Sequence, residues 1–421
     1  MSRISIRLSE VTLSTLFKMY NTDSVTVAIE DCLDAAINTQ LLAGGKKHRR
    51  LTPSQTRDRV KKEKHTTPKP YSVRIDDDII AHLKNYYSTE SISEAIRCAI
   101  YDVIHSTGKE LCIKPHNKII YMIGQKNADM VQWLNHIFDE ATSTYALTSY
   151  LEPFVGTANV LLHTDAGTNE TINDFSYDLI NLHRVIKNYP TEFKLCLLHP
   201  SMTSNIKGNF EKFIKSLNTT SIPKRRNKEL ELKRAVAFYY TRYFSHYGDG
   251  THFNKNKDIQ NYKSNLDYIW LFSQRLRNTE IKKGDALYRL NTYIGKSNGL
   301  IYIDAPYINT EDYYHINQTN KKRKVFKNHF LLRNKVEKLK IDNVCLLSYR
   351  ITASASALEK NKNAENVIRN TLDELYLGRG YFYALKKLKK GQIEILISTH
   401  PLSGFIAYET SLISREVAYH G

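Results

Sequence analysis

From residue 109 onward, short apolar runs alternate with helix-like patterns, and this alternation restricts the region to an α/β sheet domain. Tyr150-Leu151-Glu152-Pro153-Phe154-Val155-Gly156-Thr157-Ala158 reads as a strand running into a turn of small residues. Such a turn lets a ligand approach the backbone at the carboxyl end of a sheet, although tight turns also need Gly for purely structural reasons. Ile172-Asn173-Asp174-Phe175 places a carboxylate at a second strand end, where it could hold ribose hydroxyls. Gly299-Leu300-Ile301-Tyr302-Ile303 is an apolar strand that runs straight into Asp304-Ala305-Pro306-Tyr307. An acid, a rigid turn and an aromatic at a strand end can polarise an amino group and stack a flat ring.

The first hundred residues carry an internal repeat. Ile4-Ser5-Ile6-Arg7-Leu8 alternates as a half-buried strand does, and Ser9 is a plausible cap for a helix with Leu13, Leu16 and Phe17 on one face. Ser24 then caps a second helix carrying Val25, Ala28, Ile29, Leu33 and Ile37. The pattern returns 67 positions later: Tyr71-Ser72-Val73-Arg74-Ile75 for the strand, Asp76 for the first cap, Ile80 and Leu83 for the first face. Tyr20, Ser24, Ala28 and Ile29 recur as Tyr87, Ser91, Ala95 and Ile96. A strand and two short helices cannot bury their apolar face alone, so the copies are expected to pair their strands antiparallel and interlock their helices.

Lys and Arg total 61 against 43 Asp and Glu, a formal net charge of +18 in 421 residues. That excess favours a polyanionic partner, nucleic acid first, though acidic proteins and anionic membranes would also satisfy it. Hydrophobic residues make up 41%, enough for a sizeable core. The five cysteines form no CxxC pair, which argues against a zinc cluster or a disulfide framework and for a reducing compartment. No metal ligand set is read from the sequence. With no apolar signal core and no run long enough to span a bilayer, a soluble cytoplasmic protein without membrane attachment is expected.

The duplicated strand–helix–helix pattern resembles the ribbon-helix-helix DNA-binding family, here as two copies in one chain. The resemblance implies that Arg3, Ser5 and Arg7 from one strand, and Ser72 and Arg74 from the other, enter a major groove. A dimerisation module with solvated arginines is the alternative. Between the copies, a basic stretch beginning Gly44-Gly45-Lys46-Lys47 reads as a flexible connector.

Residues from about 118 to about 400 resemble the Dam-type adenine-N6 DNA methyltransferases. Tyr121-Met122-Ile123-Gly124-Gln125-Lys126 is similar to the family's opening motif, which implies Lys126 near the carboxylate of the cofactor, S-adenosylmethionine. Glu152-Pro153-Phe154-Val155-Gly156 is similar to its Gly-rich cofactor motif, implicating Glu152, Phe154 and Gly156. Asn173-Asp174 resembles the ribose-binding segment, and Gly284-Asp285-Ala286 the segment whose acid, Asp285, contacts the cofactor adenine. Asp304-Ala305-Pro306-Tyr307 corresponds to the family's Asp-Pro-Pro-Tyr catalytic motif. Asp304 and the Ala305 carbonyl would accept the hydrogens of the target amine, and Tyr307 would stack on a flipped adenine. Two departures stand out: Ala305 replaces a proline, and Ala158 replaces a cofactor-loop glycine.

Between Asp174 and Asp285 lies a basic, aromatic-rich stretch containing Lys224-Arg225-Arg226, Phe238-Tyr239-Tyr240-Thr241-Arg242-Tyr243-Phe244 and His252-Phe253-Asn254. The resemblance makes this a target-recognition insert with Lys224, Arg225 and Arg226 on DNA; for the apolar half of the aromatics a helix core is preferred. The expected fold is therefore α/β: a Rossmann-like methyltransferase sheet with helices on both faces and a mainly helical insert, behind a tandem ribbon-helix-helix module. Its boundaries are 1–43 and 70–108 for the copies, 44–69 for the linker and 109–421 for the catalytic domain, with the insert at 190–280. Double-stranded DNA is the expected partner, with base flipping and a restriction–modification setting implied by the family. A methyltransferase-like domain that has lost catalysis and serves as a repressor or segregation factor is the alternative, and RNA adenine or another planar amine is a further possible substrate.

Overall fold

The computed structural model describes residues 2–6, 24–30, 32–33, 71–75, 77–87, 89–105, 119, 122, 126–164, 169–204, 206–219, 222, 226–266, 268–308, 328–352, 363–388 and 392–412. The chain divides into two compact units. One comprises Met1–Cys112 with Pro190–Leu195 and Lys263–Leu271; the other comprises Ile113–Tyr189, Cys196–Tyr262 and Phe272–Gly421.

In the first unit, β1 (Ser2–Ile6) and β2 (Tyr71–Ile75) form a two-stranded antiparallel ribbon. Its register sets Ser5 opposite Ser72 and Arg3 opposite Arg74. Helices α1 (Asp77–Tyr87) and α2 (Ile92–His105) follow the second strand and pack on each other. The repeat also shows in the capping: Ser24 Oγ accepts from Val27 N at 3.4 Å, and its counterpart Ser91 Oγ accepts from Glu94 N at 3.3 Å. Each serine satisfies a helix N-terminal N–H that would otherwise lack a partner. Ala28, Ile29 and Leu33, and Ile80, Leu83, Ala95 and Ile96, are all buried, as their spacing requires. The helix expected from Ser9, the connector 44–69 and Arg7 lie outside the described residues.

The second unit is a mixed α/β structure around an eight-stranded sheet among the described residues. Its strands are β3 (Ser149–Glu152), β4 (Glu170–Asp174), β5 (Glu280–Lys283), β6 (Gly299–Ile303), β7 (Asn343–Arg350), β8 (Phe382–Lys387), β9 (Ile393–Ser398) and β10 (Ile406–Ala407). The order is β10-β8-β9-β7-β6-β3-β4-β5, parallel from β5 to β7 and antiparallel beyond. Chain order reverses between β3 and β6: β3 leads outward to β4 and β5, and the chain then returns to place β6 on the other side of β3. A reversal of this kind opens a crevice at the carboxyl ends of the two strands, the usual ligand position in open α/β sheets.

Helix α3 (Ala128–Tyr145) is capped by Asn127, whose Oδ1 accepts from Met130 N at 2.8 Å. It buries Met130, Val131, Leu134, Ile137, Phe138 and Ala141, a stripe at helical spacing, and packs against β6. Helices α4 (Tyr177–Asn188), α5 (Ile206–Thr219), α6 (Lys228–Tyr243), α7 (Ala286–Asn291), α8 (His329–Leu339) and α9 (Ala364–Tyr376) complete the elements needed below. All five residues of β6 are buried, so the strand that carries Asp304 is fixed from both faces. No helix among the described residues is long and apolar enough to cross a membrane.

Candidate active site

The turn after β3 is built around two left-handed residues, Gly156 (φ +50) and Ala158 (φ +57). Alanine thus keeps the path that glycine adopts freely, at a local conformational cost of about 1–2 kcal/mol. A Cβ placed on Gly156 would meet nothing within 4 Å, so the space above this backbone is open. The turn is fastened from three sides. Asp174 Oδ2 accepts from Gly156 N at 3.0 Å, while its Oδ1 accepts from Ser176 N at 2.7 Å at the start of α4. Asn173 Nδ2 donates to the carbonyls of Pro153 (3.1 Å) and Gly284 (3.0 Å), tying β3, β4 and the segment after β5 together. His183 on α4 lies 2.8 Å from the Gly156 carbonyl through Nε2. Because a carbonyl only accepts, Nε2 carries the proton, and burial pushes the imidazole down to about 4, against a smaller raising effect of that same bond. His183 is therefore a neutral strut.

Asn159 carries the connection onward: its Nδ2 donates to the Lys126 carbonyl at 2.8 Å. The Lys126 ammonium reaches the end of β6, where Nζ lies 2.7 Å from Asp304 Oδ1 and 3.6 Å from Glu394 Oε2. It also contacts the Tyr307 hydroxyl and sits 4.7 Å from the centroid of that ring. Burial opposes its charge, but the Asp304 and Glu394 carboxylates outweigh burial and hold the lysine well above its usual range. Burial likewise raises Asp304, with Lys126 pulling it back. The Asp304 side chain keeps 19% of its surface exposed, so the residue is not fully sealed off.

Tyr307 is anchored by its hydroxyl, which donates to Glu394 at 2.9 Å to Oε2 and 3.1 Å to Oε1. Its ring is buried, and Arg350 lies 5.5 Å from the centroid. Ala305 is buried and Pro306 half-buried between the two polar residues. Glu152, at the end of β3, is buried with Tyr150 OH donating to Oε2 at 3.0 Å; burial pushes its carboxyl well above the usual range, the tyrosine bond opposing. Phe154 is half-buried against the main core. Asp285 is exposed and caps α7, its Oδ1 accepting from Tyr288 N at 3.0 Å. The structure thus brings Lys126 to Asp304 and Tyr307, and gathers Glu152, Phe154, Gly156, Asp174 and Asp285 at the carboxyl ends of three neighbouring parallel strands.

The family model for the D12 class N6 adenine-specific DNA methyltransferase matches residues 123–371, more than half of the chain. This chain is a member of that family. No curated protein gives a match. The D12 region spans the Gly156 turn, Asp174, Asp285 and the Asp304–Tyr307 segment, and it stops short of Glu394.

Sequence reasoning missed two residues that brace this candidate site. His183 carries no signal beyond a lone histidine on an amphipathic helix. Glu394 reads as an ordinary strand residue until β9 pairs with β7 and sets it opposite Arg350.

In the helical segment between β4 and β5, the aromatic run is a core. Tyr239, Tyr240, Tyr243 and Phe244 are buried, with Tyr240–Phe244 centroids 4.6 Å apart and Tyr243–Tyr262 centroids 5.1 Å apart. Tyr240 OH is committed to the Met202 carbonyl at 2.7 Å. Arg226 is held bidentately by the buried Glu231, Nε to Oε1 and Nη2 to Oε2 both at 3.0 Å. Lys224 and Arg225 lie outside the described residues.

Proposed function

We propose that this D12 family member transfers a methyl group from S-adenosylmethionine to the exocyclic amine of adenine in duplex DNA, and that its N-terminal ribbon adds a second DNA contact. The observation carrying the catalytic reading is the position of Asp304: the carboxylate ends β6 at the β3/β6 reversal, beside the open Gly156 turn, and is kept ionised by Lys126.

The turn suits the cofactor in two respects. Space is open above Gly156, and the buried acceptors Asn159 Oδ1 and Asn173 Oδ1 have no hydrogen-bond partner among the described residues, as expected next to a ligand rich in N–H and O–H donors. When bound, S-adenosylmethionine supplies an electrophilic methyl sulfonium. Glu152, Phe154, Gly156, Asp174 and Asp285 are assigned to hold it, with Asp174 first rigidifying the loop through the Gly156 N–H.

The adenine amine is a poor nucleophile because its lone pair is delocalised into the ring. Asp304 Oδ and the Ala305 carbonyl accept its two hydrogens and localise that pair for in-line attack. With the methyl group supplied by S-adenosylmethionine held by the residues named above, Asp304 would take the proton that the amine gives up on methylation. Burial makes Asp304 a better base for that step than an exposed carboxylate. Tyr307 supplies the aromatic wall for a flipped base, with Lys126 held between Asp304 and Glu394 beside it.

For the N-terminal unit, the antiparallel β1–β2 register supports the ribbon-helix-helix reading, since it places Arg3 and Arg74 as direct neighbours. Arg7→Ala combined with Arg74→Ala is expected to weaken DNA binding in a mobility-shift titration; unchanged affinity and specificity would remove the groove-reading assignment. The catalytic reading is tested by labelled methyl transfer to mixed-sequence duplex DNA with Asp304→Ala as control. Labelling confined to the wild type supports it, and equal labelling rejects the site.

A further inference from the structure

Glu394 is buried on β9 and meets four polar groups at the Asp304 cluster. It accepts from Tyr307 OH (2.9 Å), from Ser348 Oγ (3.3 Å) and from Arg350 Nη2 (3.1 Å), and it faces Lys126 Nζ at 3.6 Å. Burying a carboxylate at this depth is costly unless it is paired and hydrogen-bonded, and three of its four partners, Lys126, Tyr307 and Arg350, belong to the cluster around Asp304. Lys126, Asp304, Glu394 and Arg350 together carry two positive and two negative charges, so the cluster is electroneutral only with Glu394 present. Neither the match to the D12 family, which ends at residue 371, nor the Asp304–Tyr307 motif accounts for it.

We propose that Glu394 is a positioning residue for methyl transfer: it fixes Tyr307 and the Lys126 ammonium so that the Asp304 carboxylate stays aligned for the target amine. The proposal rests on the methyltransferase reading given above. Glu394 acts through its neighbours and touches neither the base nor the cofactor. Besides those four partners, Lys386 is the register partner of Glu394 on β8, while Asp304 shares Lys126 with it and Tyr302 and Glu152 feel the charges of Asp304 and Lys126. Its charge raises both Lys126 and Asp304, whereas that of Arg350 lowers Asp304.

The test is the pH profile of kcat for the full chain, with labelled S-adenosylmethionine and mixed-sequence duplex DNA. Glu394→Gln keeps the shape and removes the charge. It is expected to lower kcat by about tenfold to a hundredfold, leave KM for DNA within about twofold, and move the acid limb of the profile, set by Asp304, to lower pH. Arg350→Gln is expected to move the acid limb the other way, and Glu394→Asp to recover part of the rate. An unshifted acid limb in Glu394→Gln, whether or not the rate falls, would overturn the proposal in favour of a packing role.

A readout independent of turnover separates this from failure of the methyltransferase reading. In [15N]lysine spectra, the Lys126 ammonium, assigned by its loss in Lys126→Arg, is expected to exchange slowly with water in the wild type and at least about tenfold faster in Glu394→Gln. Unchanged exchange rejects the positioning role. A wild type that shows the exchange effect but transfers no methyl group rejects only the reaction.

Discussion

Lys126 Nζ bridges two carboxylates from different strands, lying 2.7 Å from Asp304 Oδ1 and 3.6 Å from Glu394 Oε2, with its side chain 3% exposed. A lysine this buried keeps its charge because two carboxylates share it. The arrangement makes charge balance, rather than any one residue, the property on which the site depends.

Lys126→Met removes the shared cation. Breaking a buried pair on one side leaves uncompensated charge, so stability is expected to fall by about 3–5 kcal/mol in urea denaturation. Asp304 then titrates at higher pH, and the acid limb of the methyl-transfer profile moves upward. Unchanged stability and an unmoved limb would contradict the pairing.

Asp304→Asn preserves shape but removes the negative charge that accepts the amine hydrogens. Transfer is expected to fall by about 10²–10³-fold, the range for loss of one preorganised electrostatic contact in a water-poor site. Cofactor affinity by calorimetry should stay within about threefold, because Asp304 is assigned to the base rather than to the cofactor.

His183 makes stability depend on acidity. Its folded value of about 4 lies below the ordinary 6.5, so between these the unfolded chain binds a proton that the folded chain excludes. Stability is therefore full above pH 6.5 and is lost as pH falls toward 4, by about 3 kcal/mol in total. Denaturation midpoints across that window should show the decline, and His183→Gln should flatten it while retaining an N–H donor for the Gly156 carbonyl.

Ala158→Gly relieves a left-handed alanine, worth about 1–2 kcal/mol, but removes a fully buried methyl, worth about 0.8 kcal/mol, and loosens the unfolded chain by a further 0.4–1 kcal/mol or so. The terms nearly cancel, so a net change below about 1 kcal/mol is expected in urea denaturation. Ala158→Val has no such compensation, since a β-branched side chain strongly disfavours this backbone, and should destabilise clearly.

Arg226→Ala is expected to weaken DNA binding little, because the guanidinium is already held by Glu231. The variant should instead lower stability through the unpaired buried carboxylate. A large loss of DNA affinity with unchanged stability would show that Arg226 leaves Glu231 for phosphate.

Asp304-Ala305-Pro306-Tyr307 was legible because an apolar strand announces its own end, and chemistry collects at strand ends in parallel sheets. Only the apolar half of the aromatic run of α6 was legible as core; Tyr239, Tyr240 and Tyr243 are buried there too. Lys126 was recognised as a site residue, yet its expected neighbour was the cofactor carboxylate; in the structure it reaches Asp304, which lies 178 residues further along the chain. Glu394-Ile395-Leu396-Ile397 was legible as a strand, but the part Glu394 plays at the site was not, because it arises from antiparallel pairing with Arg350, 44 residues away. His183 became meaningful only once the Gly156 carbonyl was found against it. Contacts made by sheet register and by long loops are where residue spacing ceases to inform.

The central claim is that Asp304, held ionised by Lys126, activates an adenine amine for methylation. Its most direct test is sequencing-based detection of N6-methyladenine in DNA from cells expressing the wild type or Asp304→Ala. Methylated adenine at a recurrent sequence in the first, and none in the second, is the predicted result. Methylation at equal levels in both, or in neither although the purified wild type binds S-adenosylmethionine, would contradict it.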